Sequence, residues 1–174
     1  MSGDLLYVAV CGPDPCSPEV AGLAEEVGRL LARAGAILVC GGLGGTMEAA
    51  ARGATGEGGT VIGLLPGDTR TAGNPYLTLS IPTGMGEMRN ALLVRSADAL
   101  VAVAGEHGTL SEIAFALKTG VPVIGLKTWE LAKAGRKVEA FVEAASPEEA
   151  AREAVQAARR RRATTRPSSG SGSP

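Results

Sequence analysis

Short apolar runs, rich in Val, Ile and Leu, alternate along this chain with segments whose apolar residues recur at helical spacing. Apolar runs of this kind are typical of parallel strands, which are buried on both faces and connected by helices. The pattern therefore predicts an α/β fold: a single Rossmann-like, doubly wound, mainly parallel sheet with helices on both faces. The predicted strands are Leu5–Val10, Ala36–Cys40, Thr60–Leu65, Leu77–Ile81, Ala97–Ala104 and Val121–Leu126, with an edge strand at Val138–Val142.

The charges of the chain are distributed unevenly. The net charge is −1 over 174 residues. Residues 159–174 contain five Arg and no acid, which leaves 12 basic and 18 acidic residues in positions 1–158. We expect one domain at 1–158, with a final helix to about Ala158, and a basic, Ser/Gly-rich disordered tail at 159–174. An acidic domain does not favour specific nucleic-acid binding, which leaves non-specific contact by the tail as the alternative.

Composition limits the compartment in which the protein works. No apolar run reaches the roughly 18–20 residues of a membrane-spanning helix, and no signal-peptide pattern opens the chain. The cysteines at 11, 16 and 40 are odd in number and lack CxxC spacing, so neither a disulfide framework nor a metal site is predicted. We expect a cytoplasmic protein in which Cys11 and Cys40 are small buried hydrophobic residues.

Ligands of doubly wound folds bind beyond the carboxyl ends of the strands. This rule selects the loops at residues 11–17, 41–46, 82–86 and 105–109. The first loop contributes Gly12 to the predicted ligand-binding residues, and the third contributes Thr83 and Gly84.

The second of these loops is rich in glycine and stands between a strand and a helix. Glycines allow backbone N–H groups to approach an anion, and the helix N-terminus favours negative charge. The loop matches neither the dinucleotide fingerprint GxGxxG nor the P-loop GxxxxGK[ST], so NAD binding and ATP hydrolysis lose their main support. A tight turn without a ligand is the alternative. The predicted phosphate-binding residues are Gly41, Gly42, Gly44, Gly45 and Thr46.

The fourth loop follows the most apolar strand, and it contributes Gly105, Gly108 and Thr109. The Thr109 hydroxyl is suited either to cap the next helix or to bind a phosphate oxygen. Glu112 follows three residues later, where a carboxylate is either an N-terminal capping acid or a functional group. His107, the single histidine, lies in the same loop without a partner that the sequence identifies.

A short predicted helix, from about Glu87 to Arg95, begins after the third loop and carries Arg89 and Asn90. Arg89 is either a solvated surface charge or a bidentate phosphate-binding residue, because guanidinium groups pair well with phosphate oxygens. Asn90 is placed to add an amide contact to the same ligand.

Three of these motifs, in this order, resemble the LOG (Lonely Guy) superfamily, often described as lysine decarboxylase-like. The GGxxGxM segment of the family corresponds to Gly41–Met47, its upstream Arg to Arg89, and its PGGxGTxxE motif to Ala104–Glu112. The likeness spans residues 5–145. Ala104 and Glu106 replace the Pro and the second Gly of PGG.

Arg89 is followed by Asn90 where LOG phosphoribohydrolases have Lys. With TGMG before this pair and GTLSEIAFALKTGVPVIGL after it, the chain most resembles the branch that contains the molybdenum cofactor carrier proteins. The resemblance implies a phosphate-bearing ligand, either a nucleotide or a molybdopterin-type cofactor, and a homodimer or larger homo-oligomer. A carrier, which holds the ligand without converting it, is the preferred interpretation.

The alternative is a LOG-type phosphoribohydrolase, which cleaves the N-glycosidic bond of a nucleoside 5′-monophosphate to give free base and ribose 5-phosphate. By resemblance, Arg89 and Glu112 would then be catalytic, and no cofactor would be required. Lysine decarboxylation is not supported, because no Lys stands out as a ligand for pyridoxal phosphate.

Overall fold

A computed structural model of the protein describes residues 5–165. Seven strands form one sheet in which every pairing is parallel, and two short strands form a separate hairpin. The strands are β1 (Tyr7–Cys11), β2 (Ile37–Cys40), β3 (Val61–Leu65), β4 (Leu79–Pro82), β5 (Ala99–Val103), β6 (Val123–Leu126), β7 (Ala132–Lys133), β8 (Arg136–Lys137) and β9 (Val142–Ala144). The order across the large sheet is β4-β3-β2-β1-β5-β6-β9.

Helices cover both faces of this sheet, which confirms the predicted doubly wound α/β fold. The helices are α1 (Pro18–Arg33), α2 (Gly45–Gly56), α3 (Arg89–Arg95), α4 (His107–Thr119) and α5 (Pro147–Thr165). One apolar cluster joins the sheet to α1, α2 and α5, and a second joins the opposite face to α3 and α4. All five residues of β5 are buried, as expected for a strand inside a covered parallel sheet.

Glycines set the position of α2 against α1. A Cβ atom at Gly28 would lie 2.0 Å from the carbonyl oxygen of Ala50, and one at Gly53 would lie 1.9 Å from that of Glu25. Only glycine permits the two helix backbones to approach this closely. This contact fixes where α2 begins, and therefore where the glycine-rich loop meets the edge of the sheet.

The segment after β6 differs from the prediction. Residues 132–137 form the β7–β8 hairpin, and the Val138 amide bonds back to the carbonyl of Leu131. The edge strand is Val142–Ala144, not Val138–Val142. The prediction was wrong because Val138, the first residue after the hairpin, bonds to Leu131. The edge strand therefore begins further along the chain.

The final helix also corrects the sequence analysis, because α5 continues seven residues beyond Ala158, to Thr165. Arg161 donates a 2.8 Å hydrogen bond to the carbonyl of Ala97, and Arg162 contacts the carbonyl of Leu5. Residues 159–165 are therefore not disordered: arginine is a good helix former, and two of the arginines reach the amino ends of β1 and β5. Positions 166–174 of the predicted tail lie outside the described residues.

No helix within residues 5–165 has the length and hydropathy needed to span a membrane.

We expect the arginine contacts of α5 to contribute to stability. Replacing Arg161 and Arg162 together by Ala removes two contacts to backbone carbonyls, which should cost about 1–2 kcal/mol and lower Tm by roughly 2–8 °C. Thermal unfolding checks this. The matched control replaces the exposed Arg159 and Arg160 by Ala. Equal Tm values for the two double variants would show that the contacts add nothing.

Candidate functional site

A cleft of about 400 Å³ opens at the carboxyl edge of the sheet, a volume within the usual range of small-molecule sites, roughly 300–1,000 Å³. It lies between the loops after β1 and β2 and the first turns of α3 and α4. We call it the Arg89 cleft. Its polar lining consists of Cys11, Asp14, Glu87, Arg89, Asn90, Thr109 and Glu112, and its other lining residues include Val10, Gly12, Leu43, Met47, Pro66 and Gly108.

Arg89, the first residue of α3, is the buried cation of this cleft. The residue is only 7% exposed, and its Nε and Nη1 atoms have no hydrogen-bond partner among residues 5–165. Burial lowers the pKa of Arg89, and the charge of Glu112 acts in the opposite direction. Arginine nevertheless stays protonated in proteins, so this cleft is lined by a buried positive charge with two N–H groups that no residue in 5–165 accepts from.

Gly41 makes room for the guanidinium group. A Cβ atom at position 41 would lie 2.1 Å from Nη1 of Arg89 and 2.6 Å from Nη2. Any other residue at this position would displace the arginine, because such distances are far below van der Waals contact. The first glycine of the glycine-rich loop therefore positions Arg89.

Glu112 is the buried acid of the cleft and is also 7% exposed. Burial raises its pKa from the usual 4.5 to about 7, although the Cys11 thiol and the Arg89 charge act to lower it. The sequence alternative, a capping acid, is wrong, because α4 begins at His107 and Glu112 is its sixth residue. The carboxyl group is therefore poised to exchange a proton near neutral pH.

The two cysteines near the site stay protonated. Burial is the largest cause in both cases: it raises the pKa of Cys11 well above its usual range, with a further increase from Glu112, and that of Cys40 to about 11. The expectation that both are small buried residues is confirmed, and all three cysteines are free. Among the described residues, no group of three or more His, Cys, Asp and Glu side chains is placed to share a metal ion.

The N-terminus of α4 supplies further donors. Gly108 and Thr109 line the cleft, and Thr109 is only 3% exposed. Glu106 occupies the N-cap position but makes no side-chain capping hydrogen bond, which leaves the first-turn N–H groups available. Asn90 also lines the cleft, and its amide reaches Oγ of Ser111 at 3.4 Å.

The hydrogen-bond partners of the glycine-rich loop differ from those that its sequence suggests. The Gly44 amide donates to Oδ2 of Asp14 at 3.1 Å, and Thr46 bonds the carbonyl of Pro13 through both its amide (3.1 Å) and its hydroxyl (2.9 Å). A carboxylate of the protein itself thus lies at the start of α2, where the sequence suggested a phosphate. Gly45 packs against Pro13, which ties this loop to the loop after β1.

The remaining predicted residues lie partly inside and partly outside the Arg89 cleft. Gly12 lines the cleft, whereas Gly42 packs against Leu65. Thr83 and Gly84 form a turn bonded to the end of β3 and the residues after it, through Thr83 Oγ1 to the carbonyl of Leu65 (2.7 Å) and the Gly84 amide to that of Gly67 (2.9 Å). Gly105 lines a neighbouring cleft instead.

Sequence reasoning missed Asp14 and Glu87. Asp14 lies in the loop at residues 11–17, which was selected as a ligand loop, but no motif distinguished this residue within it. Glu87 precedes Arg89 by two residues, and only the short turn at Gly86–Met88 brings both to the cleft.

The fold and the order of its motifs define the class of this protein: a Rossmann-like domain of the LOG-like superfamily. More narrowly, the chain belongs to the SLOG cluster4 family, whose model matches residues 5–151. An uncharacterised protein of Archaeoglobus fulgidus is 45% identical over 123 residues, which cover 71% of this chain and 81% of the relative.

Two solved structures are similar to this one. The molybdenum cofactor binding protein of Rippkaea orientalis is 33% identical with a TM-score of 0.77, covering 85% of this chain and 94% of the other. The molybdenum cofactor carrier protein of Chlamydomonas reinhardtii is 32% identical with a TM-score of 0.78, covering 88% and 98%. These similarities confirm the superfamily and the carrier-like branch suggested by the sequence.

The raised pKa of Glu112 predicts a pH-dependent stability. Below pH 4.5 the carboxyl group is neutral in both the folded and the unfolded chain. As the pH rises towards 7, the unfolded chain releases the proton first, so wild type should lose on the order of 3 kcal/mol relative to Glu112→Gln, with no further loss at higher pH. Urea unfolding of both proteins from about pH 4 to about pH 8 measures this difference. A constant difference would mean that Glu112 titrates normally.

Proposed function

We propose that the protein binds a phosphate-bearing small molecule in the Arg89 cleft and holds it as a carrier. The observation on which this rests is Arg89, a residue that lines the cleft, is only 7% exposed and has no hydrogen-bond partner at Nε or Nη1 within residues 5–165. A buried charge of this kind destabilises a protein unless an anion compensates it. The cleft therefore favours an anionic ligand.

Phosphate suits this position. A guanidinium group binds phosphate oxygens through parallel N–H···O bonds, and the first-turn amides of α4 at Gly108 and Thr109 add donors and a favourable helix dipole. The amides and Arg89 line the same cleft. A phosphate group held between them would have donors on two sides.

The rest of the cleft favours a ligand that also carries hydrogen-bond donors. Asp14, Glu87 and Glu112 contribute carboxyl groups to the lining. Such groups accept hydrogen bonds from sugar hydroxyls or from ring N–H groups. An anionic end together with a donor-rich body describes a nucleotide or a molybdopterin-type cofactor.

The similarity to a molybdenum cofactor carrier protein and a molybdenum cofactor binding protein supports a molybdopterin-type cofactor as the ligand. Arg89, whose Nε and Nη1 have no hydrogen-bond partner within residues 5–165, fits the phosphate of such a cofactor, which Arg89 and the α4 amides would hold as cargo. Carriage requires no resident cofactor and no chemical step by the protein.

Removal of the Arg89 charge should weaken phosphate binding. We expect Arg89→Ala to reduce the affinity for AMP and for ribose 5-phosphate about 10- to 100-fold, the loss typical of hydrogen bonds to a charged group. Isothermal titration calorimetry measures both affinities. The same variant should melt at the same temperature as wild type or higher, because it removes a buried charge that has no hydrogen-bond partner at Nε or Nη1 within residues 5–165.

Arg95→Ala is the matched control, because Arg95 is exposed at the other end of α3. It should leave both affinities unchanged. Equal binding of these phosphates by wild type and by Arg89→Ala would contradict the proposed site.

Glu112 favours a second candidate function, a nucleoside 5′-monophosphate phosphoribohydrolase. A buried carboxyl group with a pKa of about 7 is suited to general acid–base catalysis, and it lines the same cleft as Arg89. In that reaction Glu112 would activate water or stabilise the positive charge that develops on the sugar, while Arg89 holds the phosphate.

Release of ribose 5-phosphate from AMP distinguishes the two functions. A hydrolase should lose about 10²–10⁴ in turnover on Glu112→Gln while still binding AMP. The control variant is Glu139→Gln, which changes an exposed carboxylate outside the cleft and should leave turnover unchanged. A carrier should release no ribose 5-phosphate even as wild type.

Self-association and a cytoplasmic location stay predictions. Exposed apolar side chains that a second copy of the chain would cover occur on and near β4 and α3: Leu79, Ile81, Met85, Met88 and Leu92.

A further inference from the structure

The Arg89 cleft contains more acidic than basic side chains. Among residues 5–165, Arg89 is the one cation of its lining, whereas Asp14, Glu87 and Glu112 contribute three carboxyl groups. A phosphate monoester brings two further negative charges once the pH exceeds its second pKa of about 6. A bound phosphate therefore adds more negative charge to this cleft than one arginine neutralises.

The three carboxyl groups differ in their contact with water. Asp14 and Glu87 are exposed, so solvent stabilises their charges and screens them from a ligand. Glu112 is the sixth residue of α4 and is only 7% exposed, so its charge depends on the protein groups around it. Glu112 is therefore the acid of the cleft whose ionisation responds most strongly to a new negative charge.

Two groups face Glu112 from the elements packed against it. The Cys11 thiol, at the end of β1, and the Arg89 guanidinium, at the start of α3, both favour the ionised carboxylate. Cys11 and Cys40, the thiol beside Arg89 at the end of β2, stay neutral, because burial raises the pKa of each. Arg89 is therefore the positive charge that supports an ionised Glu112.

A phosphate bound to Arg89 removes this support. The phosphate neutralises the guanidinium charge and repels the carboxylate, and the buried surroundings screen these effects far less than water does. The neutral carboxyl group avoids the repulsion, and its O–H group gives the ligand a further donor. Without ligand the pKa of Glu112 is already about 7, so the added charge favours the neutral form at and above neutral pH.

We propose that the Arg89 cleft binds a phosphate dianion together with one proton, which the Glu112 carboxylate takes up from solvent. The O–H bond of Glu112 is the only bond that forms. Because this proposal rests on the proposed phosphate site, it deepens that function: the protonated carboxyl group becomes part of the binding site. By linkage, a rise in pH that ionises Glu112 weakens binding and favours release of the ligand.

Calorimetry on the wild-type full chain measures the proton directly. AMP is titrated at about pH 8 in two buffers that differ in ionisation enthalpy. At this pH the phosphate of AMP is already dianionic, and Glu112 is about nine-tenths ionised before binding. We expect uptake of more than about half a proton per AMP, and the same for ribose 5-phosphate, which has no ring to titrate. Binding of both probes without proton uptake would overturn the proposal and leave the phosphate site intact.

Glu112→Gln identifies the group that takes up the proton, because glutamine has the shape of the neutral carboxyl group but does not titrate. From about pH 7.5 to about pH 8.5 the affinity of wild type for AMP should fall about three- to tenfold, whereas that of the variant should stay constant, without proton uptake. At about pH 8.5 the variant should bind AMP at least about threefold more tightly than wild type. Misfolding cannot produce such a gain.

Glu139→Gln is the matched control, because Glu139 is exposed and lies outside the cleft. It should reproduce the proton uptake and the pH dependence of wild type. Proton uptake that persists in Glu112→Gln, a wild-type affinity that does not fall with pH, or loss of AMP binding in a folded Glu112→Gln would each overturn the proposal. If wild type binds neither AMP nor ribose 5-phosphate, the proposed phosphate site fails together with it.

Discussion

The close approach of Arg89 to Gly41 is the contact on which the site depends. The guanidinium group lies where any side chain at position 41 would be, and it is buried with Nε and Nη1 unpartnered within residues 5–165. Burial of this charge has a desolvation cost that lowers the stability of the folded chain. A folded chain that leaves a cation in this state gains most from an anion, so the contact connects the packing of the domain to its proposed ligand.

The topology explains how distant segments reach one cleft. Parallel pairing places the carboxyl ends of β1, β2, β3 and β5 at one edge, and the order of strands reverses direction between β1 and β5. Ligands of such sheets bind at the point of reversal. Here the loops after β1 and β5 line two neighbouring clefts, and the buried cation Arg89 lines one of them.

The sequence was sufficient for the parallel sheet apart from its edge strand, and it singled out Arg89 and Glu112, which line the candidate site. Continuous apolar strands such as β5 specify a parallel sheet by themselves, and Arg89 and Glu112 stand in recognisable motifs. Asp14 could not be predicted, because its role depends on a loop contact with Gly44 across 30 positions of the chain. The arginines of α5 were misjudged for a similar reason. No apolar periodicity surrounds Arg161 and Arg162 in the sequence, and the carbonyls of Ala97 and Leu5 come within their reach only in the folded sheet.

Mass spectrometry of the small molecules released from native protein tests the central claim most directly. Wild type and Arg89→Ala, purified in parallel from the same host, should differ: wild type should carry a phosphorylated nucleotide or pterin that is depleted from the variant. A bound compound without an anionic group, or a phosphorylated one retained equally by both proteins, would contradict the assignment of Arg89 as the group that holds the ligand.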